Sequence, residues 1–159
     1  KGLMDVAILM EPVNVEQYGF LRLPDTDRWG VLMPADDPLA KQASVSPADL
    51  RELPILTTRR SLVQKELSGW FGEDFDRLNI FATHNLVRNA ALLVEHGLGY
   101  AVTLEGAVDI YEKSRVCFRP FSPELLCGAV LAWKRSQTMA PAAAAFLECA
   151  KMLLRHDTR

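Results

Sequence analysis

The sequence has no apolar run near the ~20 residues needed to cross a membrane, and LMDVAILM at its start is far too short. It also opens without the charged, apolar and small-residue regions of a signal peptide. Cysteine is scarce: Cys117, Cys127 and Cys149 are odd in number and lack CxxC spacing, which excludes a disulfide framework and a zinc knuckle. The pattern fits buried, reduced thiols in a cytoplasmic protein. Histidine is scarcer in pattern than in number, since His84, His96 and His156 show no HxH or HExxH spacing, and no metal site is expected. There is no basic excess either. Lys plus Arg total 18 against 20 Asp plus Glu, a net charge of −2, which argues against direct binding of duplex DNA.

Catalytic signatures are missing too. Ser61 stands in no GxSxG elbow, and no cysteine stands in a nucleophile motif, so an enzyme is not expected. Asp36-Asp37 is read as a turn before a Pro-started helical turn, and Glu73, Asp74 and Asp76 as a solvated run. Gly97 and Gly99 form a GxG, but a dinucleotide loop needs strand, glycines, then helix. Here the helix-like NLVRNAALLVEH precedes them and the strand-like YAVTL follows, so no nucleotide cofactor is implied.

What is there is an ordinary globular composition, 49% hydrophobic and 24% charged over 159 residues. That length suits one domain or two small lobes and can bury roughly 70% of its unfolded surface. LMDVAIL reads as a buried strand, and its abrupt position reads as the start of a fragment of a longer chain. YGFLRLPD and RWGVLMPAD read as two strands joined by a turn at Asp25-Thr26-Asp27. Ser46 and Pro47 begin a short helix with Asp49 near its positive end.

LPILTT, LNIFAT, YAVTL, VCFRPF and GAVLAW read as strands, with SLVQKELSGWF a helix stopped near Gly72. Thr83 is placed to cap the next helix, whose inner face is Leu86, Ala90, Leu93 and Val94, closed by Gly97. The last helix, MAPAAAAFLECAKMLLRH, carries a predicted buried stripe of Phe146, Leu147, Ala150, Leu153 and Leu154. Strands alternating with helices predict an α/β fold with mainly parallel sheet.

Two segments carry candidate chemistry. LTTRRS puts Thr57, Thr58 and Ser61 with Arg59 and Arg60 at a strand end before a helix, where an anion could be held. Capping hydroxyls with two solvated arginines would leave the same pattern. Thr83, His84 and Asn85 repeat the arrangement on what would be a neighbouring strand, with a surface histidine as the plainer alternative.

In this order, the segments resemble the effector-binding domain of LysR-type transcriptional regulators. GLMDVAIL looks like the family's Gly-x-hydrophobic-Asp-hydrophobic strand. RWGVLMPADDPLA is similar to its strand before HPLA, with Asp37 in place of the histidine, and SPADLRELPILTT matches the next helix and strand. NLVRNAALLVEHGLGYAVTLEG resembles its helix and GxGxxxLP segment, with Leu104-Glu105 where Leu-Pro is usual; CFRPF and LAWKR resemble the late strands.

The resemblance implies a two-lobed, periplasmic-binding-protein-like (type 2) α/β fold with the first lobe incomplete. Lobe I would hold residues 1–40 and 127–159, and lobe II residues 41–126. A small-molecule effector would bind between them, lined by Met10, Thr57, Thr58, Arg59, Thr83, His84 and Asn85, and would be anionic if an arginine faces it. The module would pair into dimers or larger oligomers, and DNA would be met only through a winged helix-turn-helix not in this sequence. A transporter's solute-binding protein and an α/β enzyme are the alternatives. If the first lobe lacks its upstream strands, Asp5 to Leu9 become a sheet edge, and the chain is expected to self-associate through it or through other lobe-I surfaces.

Overall fold

The computed structural model describes residues 4–14, 16–108 and 115–156. Its elements are β1 (Val6–Met10), β2 (Tyr18–Pro34), β3 (Pro54–Thr58), α1 (Ser61–Phe71), β4 (Asn79–His84), α2 (Val87–Glu95), β5 (Tyr100–Leu104), β6 (Val116–Pro120), β7 (Leu126–Lys134) and α3 (Pro141–His156). Short 3-10 turns occupy Pro38–Lys41, Pro47–Leu50 and Gly72–Arg77. The chain divides into two compact units. One comprises the described residues up to Thr26 and from Cys127, the other Asp27–Leu126.

In the first unit β1 pairs antiparallel with β7, Val6 opposite Trp133 and Ile8 opposite Leu131, and β7 has β2 on its other side. β1 is therefore an end strand. The buried strand predicted here is half-buried instead, with Ile8 66% exposed, because a strand with one neighbour cannot be enclosed. α3 also departs from its predicted stripe. Leu147 is buried, Ala150 and Leu154 are half-buried, but Phe146 and Leu153 are 55% and 68% exposed.

The turn predicted at Asp25-Thr26-Asp27 is absent, and β2 runs unbroken for 17 residues. A hairpin needs its two arms to pair with each other, whereas these arms pair with other strands. β2 has β7 beside it, and its later residues pair elsewhere again, Trp29 to Leu32 with β5 and Gly30 to Pro34 with β6. Asp27 uses its carboxylate to accept the Gly106 N–H (3.2 Å) rather than to close a turn.

In the second unit the order β2, β5, β3, β4 mixes directions. β2 is antiparallel to β5 and β6, whereas β3 is parallel to both β4 and β5. The α/β class holds, but antiparallel pairs replace the mainly parallel sheet. A core of Leu32, Leu56, Ala90, Ala91, Val94, Ala101, Val108 and Val116 joins one sheet face to α2. Leu86, predicted to continue that helix face, precedes the first turn and is 58% exposed. α1 buries Val63, Leu67 and Phe71, and the Trp70 ring stacks on Phe121 at 3.9 Å.

The remaining local motifs follow their residues closely. Asp37 caps the Pro38 turn through Leu39 N–H (2.8 Å), and Ser46 donates both its N–H (2.8 Å) and its hydroxyl (2.6 Å) to Asp49. Asp74 is not simply solvated, since it takes two hydrogen bonds from Arg51, at 2.7 and 3.1 Å. None of the cysteines forms a disulfide. Cys127 is buried, whereas Cys149 is exposed, contrary to the uniformly buried thiols anticipated.

The two glycines after α2 serve different ends. Gly97, at φ 71°, donates to Val94 O (2.9 Å) while Leu98 donates to Leu93 O (2.9 Å), which is a Schellman closure needing a left-handed residue. Gly99 is a matter of space. A Cβ there would lie 2.6 Å from Pro54 O and 2.9 Å from a Leu56 methyl, so only glycine lets β5 start against β3.

Candidate functional site

The carboxyl end of a parallel strand followed by a helix is where α/β folds expose helix N–H groups to ligands. β3 and β4 both end this way, with α1 beginning at Ser61 and α2 at Val87. Their register sets Thr57 beside Thr83 and Thr58 beside His84. Because strand residues alternate between faces, Thr57 and Thr83 share one face while Thr58 and His84 share the other. β3 leaves β5 earlier, its pairing ending at Leu56 with Ala101.

The loops are tied to each other at this edge. Arg59 N–H donates to His84 O (3.0 Å), Arg60 N–H to Thr58 Oγ1 (3.3 Å), and Gln64 Nε2 to Thr58 O (2.9 Å). Thr57 is buried; Arg59, Thr83 and Asn85 are exposed. The Arg59 guanidinium makes no ion pair among the described residues. Neither helix start has a side-chain cap, the cap positions being Arg60 and Leu86. Thr83 therefore does not cap α2 as predicted. The strand continues through His84, and the helix begins four residues after Thr83, out of its reach.

His84 is half-buried, and burial holds its imidazole below the ordinary histidine value, opposed by a backbone hydrogen bond with Val102. Its Nε2 is buried without a hydrogen-bond partner among the described residues. The imidazole is thus biased to its neutral form, an acceptor rather than a cation.

The structure brings Thr57, Thr58, Arg59, Thr83, His84 and Asn85 to one strand edge in the second unit. Met10 ends β1 in the first unit, half-buried and paired with Ala129. Next to it lies a residue the sequence reading passed over. Glu11 donates its N–H to Gly128 O (2.9 Å) and pairs its carboxylate with Arg22 (3.1 Å). Its place directly after Met10 was the available signal. Gln64 was passed over too, because a glutamine inside a helix carries no mark of a carbonyl lock.

Two depressions lie elsewhere. One, of about 390 Å³, is bordered by Asp5, Tyr18, Trp133 and Gln137 in the first unit; the other, of about 410 Å³, by Asp36, Glu95, His96 and Arg115 in the second. Among the described residues no group of three or more His, Cys, Asp or Glu could hold a metal ion, and no helix is long and apolar enough to cross a membrane.

The fold is α/β, of the periplasmic-binding-like type. A family model described as the LysR substrate binding domain matches residues 1–155, and the chain belongs to that family. Among solved structures it is similar to the C-terminal domain of a probable LysR family transcriptional regulator from Rhodococcus sp. RHA1, at TM-score 0.75 and 25% identity, covering 94% of this chain and 75% of that one. The reduced OxyR regulatory domain from Pseudomonas aeruginosa superposes at TM-score 0.64 with 23% identity, over 86% of this chain and 66% of that one. The Synechocystis PCC6803 CcmR regulatory domain in complex with 2-PG superposes at 0.68 with 13% identity, over 91% and 70%. The chain spans 54% and 52% of two further LysR family regulators from Pseudomonas aeruginosa. No curated protein sequence matches it.

Proposed function

We propose that this chain is the small-molecule-sensing module of a LysR-type transcriptional regulator. The observation that carries the reading is the register of β3 and β4. It gathers Thr57, Thr58, Thr83 and His84, with Arg59 and Asn85, where two helices start without side-chain caps. The exposed Thr83 hydroxyl, first-turn N–H groups and one guanidinium make a donor-rich edge, which favours an anionic effector. The complex of the CcmR regulatory domain with 2-PG supports ligand binding by this fold. Met10 enters the reading through the family resemblance alone. With a net charge of −2, the chain is not itself the DNA-contacting part, and it acts as the sensing and self-associating portion.

The test is calorimetric titration of a panel of small mono- and dicarboxylates against their neutral amides. At least one carboxylate should bind more tightly than its amide. Arg59→Ala should weaken it by roughly 1.5–3 kcal/mol, the worth of a charge-assisted hydrogen bond. Amides binding as well as their acids, or an unchanged affinity in the variant, would overturn the anionic reading.

A further inference from the structure

Two ring nitrogens among the described residues are buried without a hydrogen-bond partner, Trp29 Nε1 and His84 Nε2. His84 belongs to the edge already described. Trp29 is 5% exposed, and its main chain is fully used: the N–H donates to Leu125 O (2.9 Å), and the carbonyl accepts from Phe121 N–H (3.0 Å). Only the indole N–H is left over. It is a donor and nothing else, and a donor shut away from water without an acceptor carries a free-energy penalty that folded proteins seldom leave standing.

The strand register carries Trp29 to the candidate site. Within the second unit Trp29 stands opposite Leu104 and Val31 opposite Val102, while Leu56 stands opposite Ala101. β3 and β5 are parallel, so Leu104, the last residue of β5, lies at the same sheet end as Thr57 and Thr83. Alternation along the strands puts Trp29, Val31, Val102, Leu104, Thr57 and Thr83 on one face. The pairing of β3 with β5 stops at Leu56 and Ala101. Beyond it no ladder hydrogen bond joins the two strands, and side chains at that end can part for a ligand without breaking the sheet.

We propose that Trp29 is a ligand-contacting residue of the sensing site, its indole N–H donating to a neutral carbonyl oxygen of the effector. This assignment rests on the anionic-effector reading and adds a second recognition point to it. The neighbours favour a neutral acceptor. Val31 and Val102 are buried and apolar, and a second carboxylate enclosed among them without a counter-ion would cost more than one N–H returns. β2 and β3 lie two strand spacings apart, roughly 10 Å. One molecule reaches both Arg59 and Trp29 only when its carbonyl stands several bonds from its carboxylate. The effector class is thus an acid with a remote oxo group, not an α-oxo acid.

Calorimetry with para-acetylbenzoate against para-ethylbenzoate, and with levulinate against pentanoate, tests this, since each pair shares the carboxylate and differs in the carbonyl. At least one carbonyl acid should bind at least tenfold more tightly than its hydrocarbon partner, because a site holding a buried donor rejects the analogue that leaves it unpaired. Trp29→Phe keeps an aromatic ring and removes the N–H, so it should erase that difference while leaving the hydrocarbon acid's affinity unchanged. Proton–nitrogen correlation spectra of the parent chain supply a measurement that needs no change at Trp29. Its indole resonance, assigned by replacing Trp70 and Trp133 in turn with Phe, should move with the carbonyl acid and hold with its partner. The Trp70 indole, bonded to Pro123 O at 2.7 Å, should hold with both. Equal affinities within each pair, or a Trp29 resonance indifferent to the carbonyl acid, would mean that an ordered water serves the indole, and would overturn the proposal while the anionic reading stands. Acids that fail to bind, or bind no better than their amides, overturn the anionic reading and this assignment with it.

Discussion

Thr57 and Thr83 stand opposite each other across the parallel pair β3–β4, yet Thr57 is 4% exposed and Thr83 lies open to solvent. The difference comes from their strands. β3 lies inside the sheet, with β4 along it and β5 beside it as far as Leu56, whereas β4 ends the sheet.

Substitutions should separate the two threonines. Thr83→Val keeps the β-branched shape and removes a hydroxyl that caps nothing, so it should change unfolding free energy by less than ~0.5 kcal/mol. Carboxylate affinity should nevertheless fall. Thr57→Ala opens a gap in a packed strand and should cost on the order of 1–3 kcal/mol. Urea denaturation beside ligand titration reads both; a Thr83→Val variant as unstable as Thr57→Ala would mean that the edge hydroxyl is structural.

Gly97 and Gly99 make a second pair with opposite reasons for the same residue. Gly97→Ala meets open space and bears only the left-handed φ of 71°, roughly 1–2 kcal/mol. Gly99→Ala drives a methyl against the Pro54 carbonyl, which is backbone held in β3, and adds overpacking of about 1–3 kcal/mol to its own unfavourable φ of 155°. Gly99→Ala should therefore be the more damaging of the two by urea midpoint. Equal losses would show that conformation, not contact, dictates both glycines.

The sequence made some of this legible and hid the rest for physical reasons. Pro54–Thr58 and Asn79–His84 were readable because short β-branched runs end in polar residues, and their pairing followed from the alternation of strand and helix. The helix closure at Gly97 was equally local. Strand direction was not local. β2 looks like a hairpin because Asp25, Thr26 and Asp27 are turn formers, and only its partners on either side forbid the turn. α3 misled for a related reason, since two apolar stripes on one helix do not announce which faces the sheet. The site residues could be named from local pattern, but the lock from Gln64 to Thr58 O and the burial of His84 depend on tertiary contacts.

The last prediction concerns pH. Tyr100 donates its phenolic hydrogen to Asp37 at 2.5 Å, joining the first residue of β5 to the cap of the Pro38 turn. Burial first, then the hydrogen bond and the negative charge of Asp37, push the phenol from 10.0 up to about 12. A group whose folded-state value is raised contributes stability that is complete below its unfolded value and is lost as pH climbs through the folded one. The contribution should thus be intact up to about pH 10 and vanish progressively by about pH 12, as the unfolded phenol ionises while the folded one resists. Tyr100→Phe removes the hydrogen bond and this titration together. It should be less stable than the parent at pH 8, and the gap should narrow between pH 10 and 12. Urea midpoints for both proteins across that range decide the matter; a gap constant with pH would show that the Tyr100 hydroxyl is not held by Asp37 in solution.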